Sequence, residues 1–227
     1  MPTPELNRII REQAEDLYET HRHVDEADIY SYYPPQMAAE RDRFGIAYST
    51  LDGLVFGTGD CDFRFPLQSL SKVFNYGLVL EACGRAETRA RVGVEPSGDA
   101  FYSFVFDTRN NRPYNPMVNA GALVVANMLP GDSVEERVEG VVERLRTFAA
   151  NPDLHVDQDT LELQMQNTDR NIGLCFLMRS LGMIHGDVRE VITTYLSICS
   201  VKVDTTDLST MAATLANGGL NPITGER

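Results

Sequence analysis

Phe65-Pro66-Leu67-Gln68-Ser69-Leu70-Ser71-Lys72 divides the chain into two kinds of sequence. Ahead of it, residues 44–49 and 54–58 flank Leu51-Asp52-Gly53, and an Asp-Gly turn between apolar alternating segments predicts a β-hairpin. Behind it the chain reads as helices, the first over residues 69–83 with Gly84 as its stop. Ser69 and Lys72 stand three apart where that helix begins, so the spacing predicts one shared face. A serine hydroxyl is a weak nucleophile until a neighbour takes its proton, and a lysine can do so when burial leaves part of it neutral. The N–H groups of a helix start also suit a developing oxyanion. Ser-x-x-Lys is nevertheless frequent by chance and by itself reads first as a solvated surface pair. Ser71 is a rival hydroxyl, predicted to point off that face.

The helical remainder is well punctuated. Residues 119–129 end at Leu129-Pro130-Gly131, and Ser133 with Glu136 makes a capping box before an apolar face of Val134, Val138, Val141, Val142, Leu145 and Phe148. Thr168 is placed to cap a helix through Leu181, Asp187 and Glu190 open another, and the last runs from about Asp207 to Asn217. Before the hairpin, residues 5–23 carry Leu6, Ile9, Ile10, Leu17 and Tyr18 at helical spacing. A lone hairpin is marginal in water, so it must pack on helices or gain strands from a polypeptide continuing past Arg227. The expected organisation is an N-terminal helix and hairpin over 1–66, belonging to a sheet subdomain, and a helical subdomain over 67–227.

Composition removes several function classes. The chain has 227 residues, with 33 acidic against 20 basic side chains and a net charge of −13. That charge repels phosphate backbones and anionic lipid, so neither nucleic acid nor membrane is an expected partner. No apolar run approaches a bilayer span and the first residues lack signal-peptide character. Cys61, Cys83, Cys175 and Cys199 are scattered, as suits reduced thiols in a cytoplasmic protein. Neither the cysteines nor His21, His23, His155 and His185 have metal-ligand spacing, so no metal is expected. Two polar groups stand out among apolar neighbours. Asn119, in Asn115-Pro116-Met117-Val118-Asn119-Ala120-Gly121-Ala122, reads either as a helix cap or as an amide aimed at a polar substrate, and its small neighbours allow close backbone approach. Asn171, in Asn167-Thr168-Asp169-Arg170-Asn171, lies near a helix start.

Five blocks in order resemble the glutaminase family: Gln68-Ser69-Leu70-Ser71-Lys72, Glu95-Pro96-Ser97-Gly98, Asn115 to Ala122, Asp169-Arg170-Asn171, and Met211-Ala212-Ala213-Thr214-Leu215-Ala216-Asn217-Gly218-Gly219. The resemblance runs from about Tyr33 to Arg227. It implies an α+β, β-lactamase/transpeptidase-like fold, with a mostly helical domain beside an antiparallel sheet that is incomplete in this chain. It also implies hydrolysis of L-glutamine to L-glutamate and ammonia, without metal or organic cofactor, by dimers or tetramers. By the same resemblance Ser69 is the nucleophile and Lys72 its proton acceptor. Tyr33 lines the substrate pocket, and Asn119, Asn171 and Tyr195 hold the amino-acid end of glutamine.

The chain departs from the family's pattern at two places. Gln164 stands where the family has a glutamate that meets the substrate's α-ammonium, while Glu162 would face nearly the opposite side of a helix. The family also continues past Ile223-Thr224-Gly225 into sheet strands that carry a further tyrosine, a Lys-Ser-Gly-type strand and an oxyanion-hole N–H. The alternatives are a glutaminase-like domain that binds an amino acid or a partner without turnover, and a penicillin-recognising serine hydrolase. The second lacks support from any Ser-Asp-Asn element after Lys72 or any Lys-Thr-Gly.

Overall fold

The hairpin forms where its turn residues place it. Strands β1 (Gly45–Ser49) and β2 (Val55–Gly59) pair antiparallel from Gly45 opposite Gly59 to Ser49 opposite Val55. Thr50 closes the turn, donating its N–H to Leu54 O at 2.9 Å, and Gly53 takes the positive φ of 88° that the turn requires. This computed structural model describes residues 4–24 and 42–227. The helices are α1 (Pro4–His21), α2 (Ser71–Arg91), α3 (Asn119–Met128), α4 (Val134–Ala149), α5 (Gln158–Gln166), α6 (Asp169–Ser180), α7 (Val188–Cys199) and α8 (Thr205–Ala216).

The chain passes four times between two compact units. The first comprises Met1–Phe65, Arg144–Leu154 and Lys202–Arg227; the second comprises Pro66–Glu143 and His155–Val201. A single division near residue 66 therefore does not describe them, because segments 144–154 and 202–227 join the hairpin. The reason is the hairpin's need for cover. Helix α1 packs on it through Tyr18, stacked on Phe44 at 5.6 Å, and through Arg11 over the Phe56 ring. Gly59 permits that approach, since a Cβ there would lie 2.2 Å from the Tyr18 ring. Helix α8 packs against the same hairpin, with Ser49 and Ser209 hydroxyls 2.7 Å apart. The hairpin thus packs on helices.

The second unit is built around α3, whose residues Asn119 to Ala126 are all buried. A helix apolar on every side needs neighbours all round, and α2, α6 and α7 supply them. The periodicity of residues 158–166 does not mark α5, yet Asp157 caps it by accepting from Thr160 N at 2.9 Å. Gly84 interrupts α2 with φ 76° and ψ 162° but does not end it; helical structure resumes through Arg91, with Thr88 Oγ1 donating to Gly84 O. Thr168 precedes α6 without capping it, and its buried hydroxyl has no hydrogen-bond partner. All four cysteines are unpaired; Cys61, Cys175 and Cys199 are buried and Cys83 is exposed. No described helix is long and apolar enough to cross a membrane.

Candidate active site

The Ser-x-x-Lys stretch does not enter its helix as the spacing predicts. Leu67, only 1% exposed, donates its N–H to Val201 O at 2.8 Å, which anchors the chain. Gln68 then turns through φ +52°, a left-handed conformation that costs a non-glycine residue about 1–2 kcal/mol. Gln68–Leu70 form a 3₁₀ turn, and the α-helix starts only at Ser71. Ser69 is therefore exposed at the turn whereas Lys72 is buried, and no hydrogen bond joins them. The single shared α-helical face expected for the pair is corrected to a turn followed by a helix. Ser71 is fully buried, with its Oγ 3.5 Å from the Cys199 sulfur on α7. Of the two hydroxyls, only Ser69 faces the solvent side.

Lys72 is 4% exposed, and its Nζ donates to two acceptors at 2.9 Å, the carbonyl of Met117 and Oδ1 of Asn119. Burial penalises the charged form and pushes the amine down from 10.5 to about 8, with the Cys199 charge a smaller opposing influence. A neutral amine has two N–H donors and one lone pair. Met117 O and Asn119 Oδ1 match the two donors, which leaves the lone pair to accept a proton.

Asn119 is the first residue of α3 and does not cap it. Its Nδ2 donates to Asn171 Oδ1 at 3.3 Å, so Lys72, Asn119 and Asn171 form one hydrogen-bonded chain. The local sequence explains why α3 starts there. Gly121 lets the backbone of Asn115 pass, since a Cβ would lie 1.9 Å from Asn115 O. Asn115 Oδ1 in turn accepts from the N–H groups of Met117 and Val118.

Gln164, half-buried on α5, is not part of that chain. Its Nε2 donates to Ser200 Oγ at 2.9 Å, and Ser200 Oγ donates onward to Leu196 O. Tyr195 is buried on α7, one turn before Cys199. Tyr33 lies outside the described residues. The sequence reading gives no role to Gln68, whose buried Nε2 lacks a partner beside Ser69, or to Phe101, whose ring lies over the Lys72 amine. A Gln at the tip of a Ser-x-x-Lys helix is a visible signal; an aromatic ring from a loop is not. Among the described residues no group of three His, Cys, Asp or Glu side chains is arranged to hold a metal ion.

The sequence profile described as Glutaminase matches residues 28–227. The chain belongs to the glutaminase family. A curated glutaminase from Trichormus variabilis is 41% identical over 212 residues, which cover 93% of this chain and 63% of the relative. The crystal structure of Mglu superposes with a TM-score of 0.88 at 36% identity, covering 100% of this chain and 56% of that one. The probable glutaminase ybaS gives 0.89 at 27% identity, over 97% and 71%. The helix-rich mixed α/β fold of this glutaminase-family chain is thus that of solved relatives. The chain spans 63% or less of the first curated relatives it matches.

Proposed function

We propose that this chain carries the nucleophile and base of an enzyme that hydrolyses L-glutamine to L-glutamate and ammonia. Ser69 Oγ attacks the side-chain carboxamide carbon while its proton passes to the neutral amine of Lys72. The tetrahedral oxyanion then collapses, ammonia leaves with a proton returned from Lys72, and a glutamyl ester remains on Ser69. Water, deprotonated in the same way, adds to the ester and releases glutamate. The observation that carries this reading is the buried Lys72 amine, whose two N–H acceptors leave a lone pair free. The exposed serine at the same turn, and membership of the glutaminase family, support it.

In this reading Tyr33 lines the substrate pocket, Asn119, Asn171 and Tyr195 hold the amino-acid end of the substrate, and Gln164 meets its α-ammonium. Because Gln164 gives its Nε2 to Ser200, its Oε1 is the atom left to accept from an ammonium group. A neutral acceptor binds a cation less strongly than a carboxylate, by about 1.5 kcal/mol or roughly tenfold in affinity. A dimer or tetramer in the cytoplasm completes the proposal; the unpaired cysteines support a reducing compartment.

Ammonia release from glutamine, followed with mass spectrometry of the rapidly quenched protein, tests it. The expected result is turnover with a glutamyl group on the peptide containing Ser69, both absent in Ser69→Ala. Calorimetric binding of glutamine with neither ammonia nor adduct overturns it in favour of a binding domain. Stable labelling by a β-lactam, without action on glutamine, overturns it in favour of a penicillin-recognising hydrolase.

A further inference from the structure

Phe101 lies over the buried amine. Its ring centroid is 5.6 Å from Lys72 Nζ. Its carbonyl accepts the N–H of Asn119 at 2.8 Å, so the residue is tied to the helix start whose side chain holds that amine. Phe101 is 49% exposed, whereas the Lys72 beneath it is 4% exposed. The next aromatics are clamped by Arg170, in the first turn of α6. Its guanidinium lies 4.9 Å from the Tyr102 ring centroid and 5.1 Å from that of Phe104, and Nη2 donates to Tyr102 O at 3.1 Å.

We propose that Phe101 is a positioning residue that keeps water from the Lys72 amine and so sets the pH at which that amine changes charge, with Arg170 holding the segment in place. The inference rests on the reading of Lys72 as proton acceptor. Two effects of the ring oppose each other. Its face attracts a cation, which favours the charged amine, and its bulk excludes water, which favours the neutral one. At 5.6 Å the nitrogen is near the outer limit of about 6 Å for cation–π attraction. Water exclusion therefore wins.

The other groups facing the amine do not supply the effect. The Met117 carbonyl and the Asn119 amide do not titrate, and neither does Ser71 beside it on α2. Cys199 on α7 is the titratable group that acts on Lys72. Burial pushes its thiol above the ordinary range, and its charge acts to raise the Lys72 midpoint, opposite to the lowering assigned to water exclusion.

Two lysines, Lys72 and Lys202, are the whole lysine content of the chain. Selective ¹³C labelling of lysine therefore gives two Cε resonances whose pH titrations are read separately by NMR. The expected Lys72 midpoint is about 8 in the wild type. In Phe101→Ala it should move up by about one pH unit or more as water reaches the amine. Phe101→Leu, which keeps most of the bulk, should move it less, and Arg170→Met should move it in the same direction.

An unchanged Lys72 midpoint in Phe101→Ala, or one moved down, overturns the proposal; the second result would make cation–π attraction the larger effect. The acid limb of ammonia release should follow the Lys72 resonance from variant to variant. A resonance that shifts as expected in a protein releasing no ammonia leaves the capping role intact and defeats the glutaminase reading. A limb that shifts without the resonance defeats the capping role alone.

Discussion

At Thr205 the chain enters α8 through a closed capping box: Asp204 accepts from Asp207 N at 2.8 Å, and Asp207 accepts from Asp204 N at 3.0 Å. At Ser71 it enters α2 with no capping side chain, after a left-handed Gln68 whose buried Nε2 has no partner. A start built for stability satisfies its own donors. The start that carries the proposed nucleophile leaves a donor free and tolerates strained backbone, which the surrounding packing must hold in place. Here that packing is Leu67 against Val201 O and Ser71 against Cys199. The strain marks the serine that faces solvent rather than the one in the core.

The sharpest way to break this contrast is to remove the chemistry at the uncapped start. Ser69→Ala and Lys72→Met should each lower glutamine turnover by at least about 10³-fold, measured as ammonia release. Ser71→Ala, which touches only the core contact with Cys199, should keep most of it. Equal losses at both serines would dissolve the distinction.

The next effect is on stability against pH. Burial lowers Lys72 to about 8 in the folded chain, against about 10.5 when unfolded. Between those values the unfolded state binds more protons, so stability rises with pH through that window; below about 8 the full burial cost applies. The difference between wild type and Lys72→Met in chemical denaturation should therefore change by up to about 3 kcal/mol from pH 7 to 10.5. Comparing the two removes the contributions of the cysteines. A constant difference would mean the amine is not desolvated.

Gly121→Ala should cost about 1–3 kcal/mol, because the new methyl would meet the Asn115 carbonyl. It should also reduce turnover, since Asn119 and Met117 hold the Lys72 amine from that helix start. Asp204→Ala should cost about 1 kcal/mol, a shift of roughly 2–4 °C in Tm, with turnover unchanged. Loss of activity in that variant would show that the capped start also serves the site.

Much of this is legible in the sequence because it depends on local chemistry. Asp52-Gly53 specifies the hairpin, Asp187 caps α7, and Ala120-Gly121-Ala122 announces a close backbone approach. What is not legible depends on partners far along the chain. The carbonyl that anchors Leu67 just before the Gln68 turn belongs to Val201, more than a hundred residues away, so helical spacing alone cannot foresee it. Asn119 reads equally as a cap or as an amide aimed at a substrate until the structure brings Lys72 and Asn171 to its two ends. The return of residues 202–227 to the hairpin is a tertiary pairing with no signature of its own, since α8 carries ordinary helix signals wherever it packs.

The placement of the thiols has a practical consequence. Cys83 is exposed on α2, just before the Gly84 break, while the other three cysteines are buried. A maleimide dye added to the folded chain would attach at that one place without any engineering. It would sit on the same helix that begins at Ser71 and Lys72, as an optical reporter of that helix.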